Sequence, residues 1–149
     1  NINEISPWRF KDPISPNLAV KKERKEIDFY DVVSFCQKRI IQAQIKNEYF
    51  FIEGAGGVMT PINKNRSFLD LMWQLQLPVI LVVKDYLGCI SHTLTAIESL
   101  KIRCISLAEI RFNFYDDSQI DILQTIERFA KQKFPKVKII KHNFIKKLP

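Results

Sequence analysis

Five consecutive branched apolar residues, Val79-Ile80-Leu81-Val82-Val83, follow Pro78. A continuous run of this kind marks a strand buried on both faces, and such strands belong to parallel sheets. Parallel neighbours cannot be joined by a tight hairpin, so helices must cross between them. This one run therefore demands an alternation of strands and helices along the chain.

The remainder of the sequence supplies that alternation. Residues 28–46 read as a helix that Asp28 or Asp31 can cap, with Val32, Val33, Phe35, Cys36, Ile40 and Ile41 at helical spacing. Ser67 or Asp70 opens a short helix holding Phe68, Leu69, Leu71, Met72 and Leu75. A third helix runs from Thr93 to about Leu100. A fourth runs from Gln119 to Lys133, capped by Asp117 or Ser118, striped by Ile120, Ile122, Leu123, Ile126, Phe129 and Ala130, and ended before Pro135. Between them, Tyr49–Ile52, Ile102–Ile110 and Val137–Ile140 read as further strands. Residues 1–20, with Pro7, Pro13 and Pro16, form an irregular lead-in that Trp8 and Phe10 pack down, and the tail Lys141–Pro149 is basic and peripheral. The expected fold is α/β: three layers, a mostly parallel sheet and helices on both faces, in a single domain spanning 1–149. Right-handed crossovers then bring the strand-end loops to one edge of the sheet.

Those loops carry the polar chemistry. Three of the four glycines stand in Glu53-Gly54-Ala55-Gly56-Gly57, at the end of the Tyr49–Ile52 run. Glycine permits positive φ and close approach of backbone amides to a ligand, and successive amides form a concavity for anions. The adjacent Glu53 carboxylate can hold a divalent metal against a phosphate or carboxylate. The plain alternative is a sharp turn. The fourth glycine, Gly88, precedes Cys89-Ile90-Ser91-His92 where the third helix opens, and amides there offer a second anion site. His92 there is a candidate acid/base or ligand, though a lone histidine near a helix start is more often structural. Asn113, in an aromatic-rich strand-end loop, can hydrogen-bond a purine edge or serve as a turn residue. Ser15, before Pro16, is a ligand donor or a helix cap, and its position favours the cap.

Composition excludes more than it selects. Cys36, Cys89 and Cys104 are isolated, without the spacing of a metal site, and read as reduced, buried thiols of a cytoplasmic protein. No run approaches the length of a membrane-spanning helix. The formal net charge of +7 comes from lysines spread over polar faces, without interleaved stacking aromatics. It reads as a solvated surface favouring anionic substrates, not a nucleic-acid footprint.

Three segments carry a family resemblance: Glu53-Gly54-Ala55-Gly56-Gly57 with Thr60-Pro61, then Leu77-Pro78-Val79-Ile80-Leu81-Val82-Val83, then Leu87-Gly88-Cys89-Ile90-Ser91-His92-Thr93-Leu94-Thr95. With Phe10 and Pro13-Ile14-Ser15-Pro16 upstream, they closely resemble the dethiobiotin synthetases, in order, over roughly residues 8 to 115. The resemblance implies a P-loop NTPase-like fold, a homodimer, and ATP-dependent carboxylation and ureido ring closure of 7,8-diaminopelargonate. By position it implies Mg2+ on Glu53, and the Gly56 and Gly57 amides facing the reacting carbamate and phosphate. It places Ser15 and Pro16 near the diamine, and Gly88, Cys89, Ile90 and Ser91 on the substrate carboxylate from across a dimer. Asn113 falls where the family reads the adenine of ATP.

The sequence also departs from that family. It holds no G-x-x-x-x-G-K-[ST] loop, no catalytic lysine before proline and no metal-binding aspartate of the following strand. Ser91 stands where asparagine is usual and Asn17 where histidine is frequent. The family's Gly-Glu-Ile-Pro-like segment has no clear counterpart near Lys141–Phe144. The chain opens Asn1-Ile2-Asn3-Glu4 without methionine, and a missing front portion is the expectation. Two other readings remain: an inactive or split remnant acting as a binding module, and an amidotransferase-type synthetase domain.

Overall fold

The computed structural model describes residues 1–114 and 120–143. The chain resolves into two compact units, Asn1–Leu75 and Gln76–Pro149.

The first unit is helical. A 3-10 turn at Ile2–Glu4 leads to α1 (Pro16–Glu23), α2 (Phe29–Lys46) and α3 (Phe68–Leu75). Asp28 caps α2 as expected, its Oδ1 accepting from the amides of Tyr30 and Asp31 at 2.7 and 3.1 Å. Asn47, at φ 54°, closes it in the left-handed conformation, its N–H returning to the carbonyls of Ala43 and Gln44. At the start of α3, Ser67 and Asp70 cap each other's backbone: the Ser67 N–H donates to Asp70 Oδ2 at 2.8 Å and the Asp70 N–H to Ser67 Oγ at 3.4 Å. These helices bury Val20, Ile27, Phe29, Val33, Ile62 and Leu71 in one cluster, with Trp8 and Phe10 packed on it. The lead-in is thus anchored by its aromatics, but it is not irregular throughout. Proline at its first position fixes a helical φ, so α1 forms inside the stretch expected to be extended. The Lys11 backbone is tied to α1 through Glu23, whose carboxylate accepts the Lys11 N–H at 2.7 Å and pairs with Lys25 at 2.7 Å. Lys25 first, then the Lys11 amide, hold the Glu23 pKa below the usual carboxylate value.

The second unit is β1 (Val79–Lys84), α4 (Cys89–Ile102), β2 (Leu107–Phe114), α5 (Ile120–Lys133) and β3 (Lys138–Asn143). The strands form a parallel sheet in the order β1-β2-β3, two successive strand–helix–strand units. The α/β class and parallel sheet are as the sequence reads. Val83, Ile110 and Phe112 lie on the buried face, while α4 and α5 contribute Ile97, Leu100, Ile126 and Ala130 to the core.

Several expectations are corrected. Tyr49–Ile52 is not a buried strand: it has no ladder partner among the described residues and is exposed, Tyr49 at 96% and Phe51 at 75%. An apolar run becomes a strand only where a neighbour takes up its backbone hydrogen bonds. β1 is not buried on both faces, because Ile80 and Val82 point away from the core and are exposed. The third helix begins at Cys89 rather than Thr93 and runs to Ile102, so β2 starts at Leu107, not Ile102. After α4, Cys104 takes φ 54° and the Ile105 N–H returns to the Leu100 carbonyl at 2.9 Å, which turns the chain before β2. Cys36 and Cys89 are buried, but Cys104 is exposed, and all three thiols are free. Burial raises the Cys36 pKa. The expected caps Asp117 and Ser118 and the tail beyond Asn143 lie outside the described residues.

Candidate functional site

In the first unit, Ser15 occupies the N-cap position of α1 with Pro16 behind it, and its carbonyl accepts from Leu18 and Ala19, each at 3.0 Å. Its side chain makes no capping bond, so position and cap chemistry part company here. Beside it, Asn17 Oδ1 is buried with no hydrogen-bond partner.

Glu53 ends the irregular segment after α2 and is exposed. The glycine turn behind it is tightly specified. Gly54 lies against the Phe68 ring, where an added Cβ would stand 3.2 Å from Cδ1. Gly56 has φ +89°, and a Cβ there would meet Thr60 Oγ1 at 2.6 Å. Gly57 faces open space. The turn closes through the Thr60 N–H on the Gly57 carbonyl at 2.9 Å, and Phe68 N–H on the Thr60 carbonyl at 3.0 Å ties it to the start of α3. The result is a glycine-formed turn fixed to a helix, with a carboxylate at its entry. No cluster of three or more metal-ligating side chains occurs among the described residues. Mg2+ needs no such cluster, since it commonly takes one or two carboxylates with substrate phosphates and water. The hard carboxylate of Glu53 fits that donor set.

In the second unit, Gly88 caps α4 with φ 96° and ψ −2°, without a side-chain capping bond. The Cys89 N–H donates to the Tyr86 carbonyl at 3.0 Å, which removes it from the available donors and leaves the first-turn amides of Ile90 and Ser91. Cys89 is buried, Ile90 half-buried and Ser91 exposed. His92 Nδ1 lies 2.8 Å from the Tyr86 hydroxyl, and the pair spans the turn around Gly88. An open cleft of about 1070 Å³ runs over this turn, lined by Asp85, Gly88, Ser91, Leu94, Thr95 and Ile122 among others. Asp85 Oδ1 is buried there without a partner.

Asn113 is exposed near the end of β2. The register sets it between Lys84 of β1 and His142 of β3, in one row at the C-terminal edge of the sheet. The Gly88 turn leaves β1 at this same edge, so these two expected site segments share it. His142 Nε2 is again buried and unpartnered.

The three orphaned atoms have a common feature. Buried polar groups are nearly always hydrogen-bonded, and exceptions call for a reason. Here Asn17 adjoins Ser15 and Pro16, Asp85 adjoins the Gly88 turn, and His142 flanks Asn113. Each stands beside a segment that sequence had already marked. Sequence reading assigned no role to Asp85 or His142, since nothing in the order of residues says that a buried atom will lack a partner.

A family model described as an AAA domain matches residues 1–142. The chain belongs to that family. It is a family of P-loop NTPase type, in keeping with the parallel sheet. An ATP-dependent dethiobiotin synthetase of Acidiphilium cryptum is 39% identical over 123 residues, covering 83% of this chain and 54% of the relative. One of Legionella pneumophila is 38% identical over 133 residues, 88% of this chain and 61% of the relative. One of Caulobacter vibrioides is 41% identical over 107 residues, 72% and 48% respectively. The likeness to dethiobiotin synthetases read from the three motif segments is thereby borne out. The chain spans between 48% and 61% of the length of these curated relatives.

Proposed function

We propose that this chain is part of an ATP-dependent dethiobiotin synthetase, a ligase of biotin synthesis, with residues 1–149 forming one α/β domain. The observation that carries this reading is the 39% identity to a dethiobiotin synthetase over 83% of the chain. Since the sequence holds no G-x-x-x-x-G-K-[ST], the reading requires a phosphate-binding loop from outside these residues.

In the proposed reaction one amine of 7,8-diaminopelargonate adds to CO2, ATP phosphorylates the carbamate, and the second amine displaces phosphate to close the ureido ring. The protein's part is positioning and charge neutralisation. Ser15 and Pro16 lie along the diamine, and the Gly56 and Gly57 amides face the carbamate and phosphate oxygens. The Ile90 and Ser91 amides, with the Gly88 and Cys89 backbone shaping the turn, receive the substrate carboxylate, which a helix N-terminus favours. Asn113 reads the adenine. Glu53 holds Mg2+, which supplies positive charge to the phosphates. The proposal includes a homodimer in the cytoplasm, with neither nucleic acid nor membrane as partner. No helix among the described residues is long and apolar enough to cross a membrane.

The test is turnover by the intact protein with diaminopelargonate, bicarbonate and Mg-ATP. Dethiobiotin and phosphate are expected, and Glu53→Gln abolishes Mg2+-dependent turnover without altering the fold. Unchanged turnover in Glu53→Gln removes Glu53 from the mechanism, and activity on a corrin-type acid instead of the diamine points to an amidotransferase-type synthetase.

A further inference from the structure

The exposed face of the sheet carries Ile80, Val82 and Lys84 on β1, Glu109, Arg111 and Asn113 on β2, and Lys138, Ile140 and His142 on β3. Three of its polar side chains are engaged. Glu109 and Arg111 pair with each other at 2.7 Å, and Lys84 has a partner of its own. His142 is different: its Nε2 is buried and accepts or donates nothing. Its position is also particular. His142 is the direct register partner of Asn113, and paired residues on adjacent strands project to the same side about 4.8 Å apart. Two hydrogen-bonding side chains at that spacing can contact one planar ring from neighbouring points along its edge.

We propose that His142 is a second base-reading residue, acting beside Asn113 to select a 6-aminopurine over a 6-oxopurine. This rests on the reading of Asn113 as the adenine contact. A carboxamide alone discriminates poorly, because its two ends present a donor and an acceptor and the group can rotate to suit either base. A neutral imidazole nitrogen that carries no proton can only accept. Nε2 in that state takes a hydrogen from the 6-amino group of adenine and faces a 6-oxo group lone pair to lone pair. Burial makes this discrimination effective, since water cannot bridge the mismatch.

The experiment is a titration of the intact, 15N-labelled protein with Mg-ATP and Mg-ITP, following the His142 ring nitrogens and the Asn113 side-chain amide by NMR. Both groups shift with ATP, and His142 Nε2 shifts much less with ITP. His142→Phe lowers the preference for ATP over ITP about ten-fold, and His142→Gln, whose carboxamide can turn its NH2 to a 6-oxo group, loses most of the preference while still binding both nucleotides. If Asn113 responds to ATP but His142 does not, or if His142→Phe keeps the wild-type preference, the role of His142 falls and the Asn113 reading stands. If neither residue responds to either nucleotide, the Asn113 reading falls and this one with it.

Discussion

Two apolar runs, the largely aromatic Tyr49-Phe50-Phe51-Ile52 and the aliphatic Val79-Ile80-Leu81-Val82-Val83, meet opposite fates. The second pairs along its length with β2 and carries Val83 into the core. The first pairs with nothing among the described residues and lies exposed between α2 and the glycine turn. Each is followed by a glycine-bearing turn, but only Gly88 stands between a strand and a helix. The difference teaches that residue type sets a run's capacity to be a strand, while a distant partner decides whether it becomes one.

The comparison breaks most visibly under charge. Val83→Asp buries a carboxylate at a site only 5% exposed, and urea unfolding should show a loss of about 4 kcal/mol or more. Phe51→Asp, at a site 75% exposed, should stay within about 0.5 kcal/mol. Comparable losses at both sites would mean that the first run is packed after all.

The two turns sharpen it next. Gly56→Ala adds left-handed strain to a contact with Thr60 at 2.6 Å and should cost more than Gly88→Ala. At Gly88 the nearest atom is His92 Cε1 at 3.6 Å, so only the backbone cost of about 1–2 kcal/mol applies. Gly57→Ala meets nothing within 4 Å and should be nearly neutral. Thermal unfolding of the three variants gives the order, and Gly56→Ala with Thr60→Ala should recover part of the loss.

The smallest effect concerns the outward face of β1. Ile80→Thr and Val82→Thr replace side chains 38% and 62% exposed with a residue that suits strands, and each should change stability by under about 0.5 kcal/mol. A large loss at either position would restore the strand buried on both faces that the run first implied.

What could be read from sequence follows the same division. Asp28 and the Ser67–Asp70 pair act within a few residues of themselves, and both were legible. So were the crossover pattern and the parallel sheet, because apolar runs alternate along the chain with stretches of helical periodicity. The Gly56 turn and the Gly88 cap were legible because glycine answers a local need for positive φ. The fate of Tyr49–Ile52, the exposure of Cys104 and the pairing of Asn113 with His142 all depend on residues remote in sequence, and no local pattern encodes them. Asp85 and His142 escaped notice for the same reason: an unpartnered atom is a property of its surroundings.

The contrast between the two runs is tested most directly by amide hydrogen exchange, resolved by residue. The account predicts slow exchange for the ladder-bonded amides of β1 and fast exchange throughout Tyr49–Ile52. Equal protection of the two runs would contradict it, and would mean that the first run has found a strand partner.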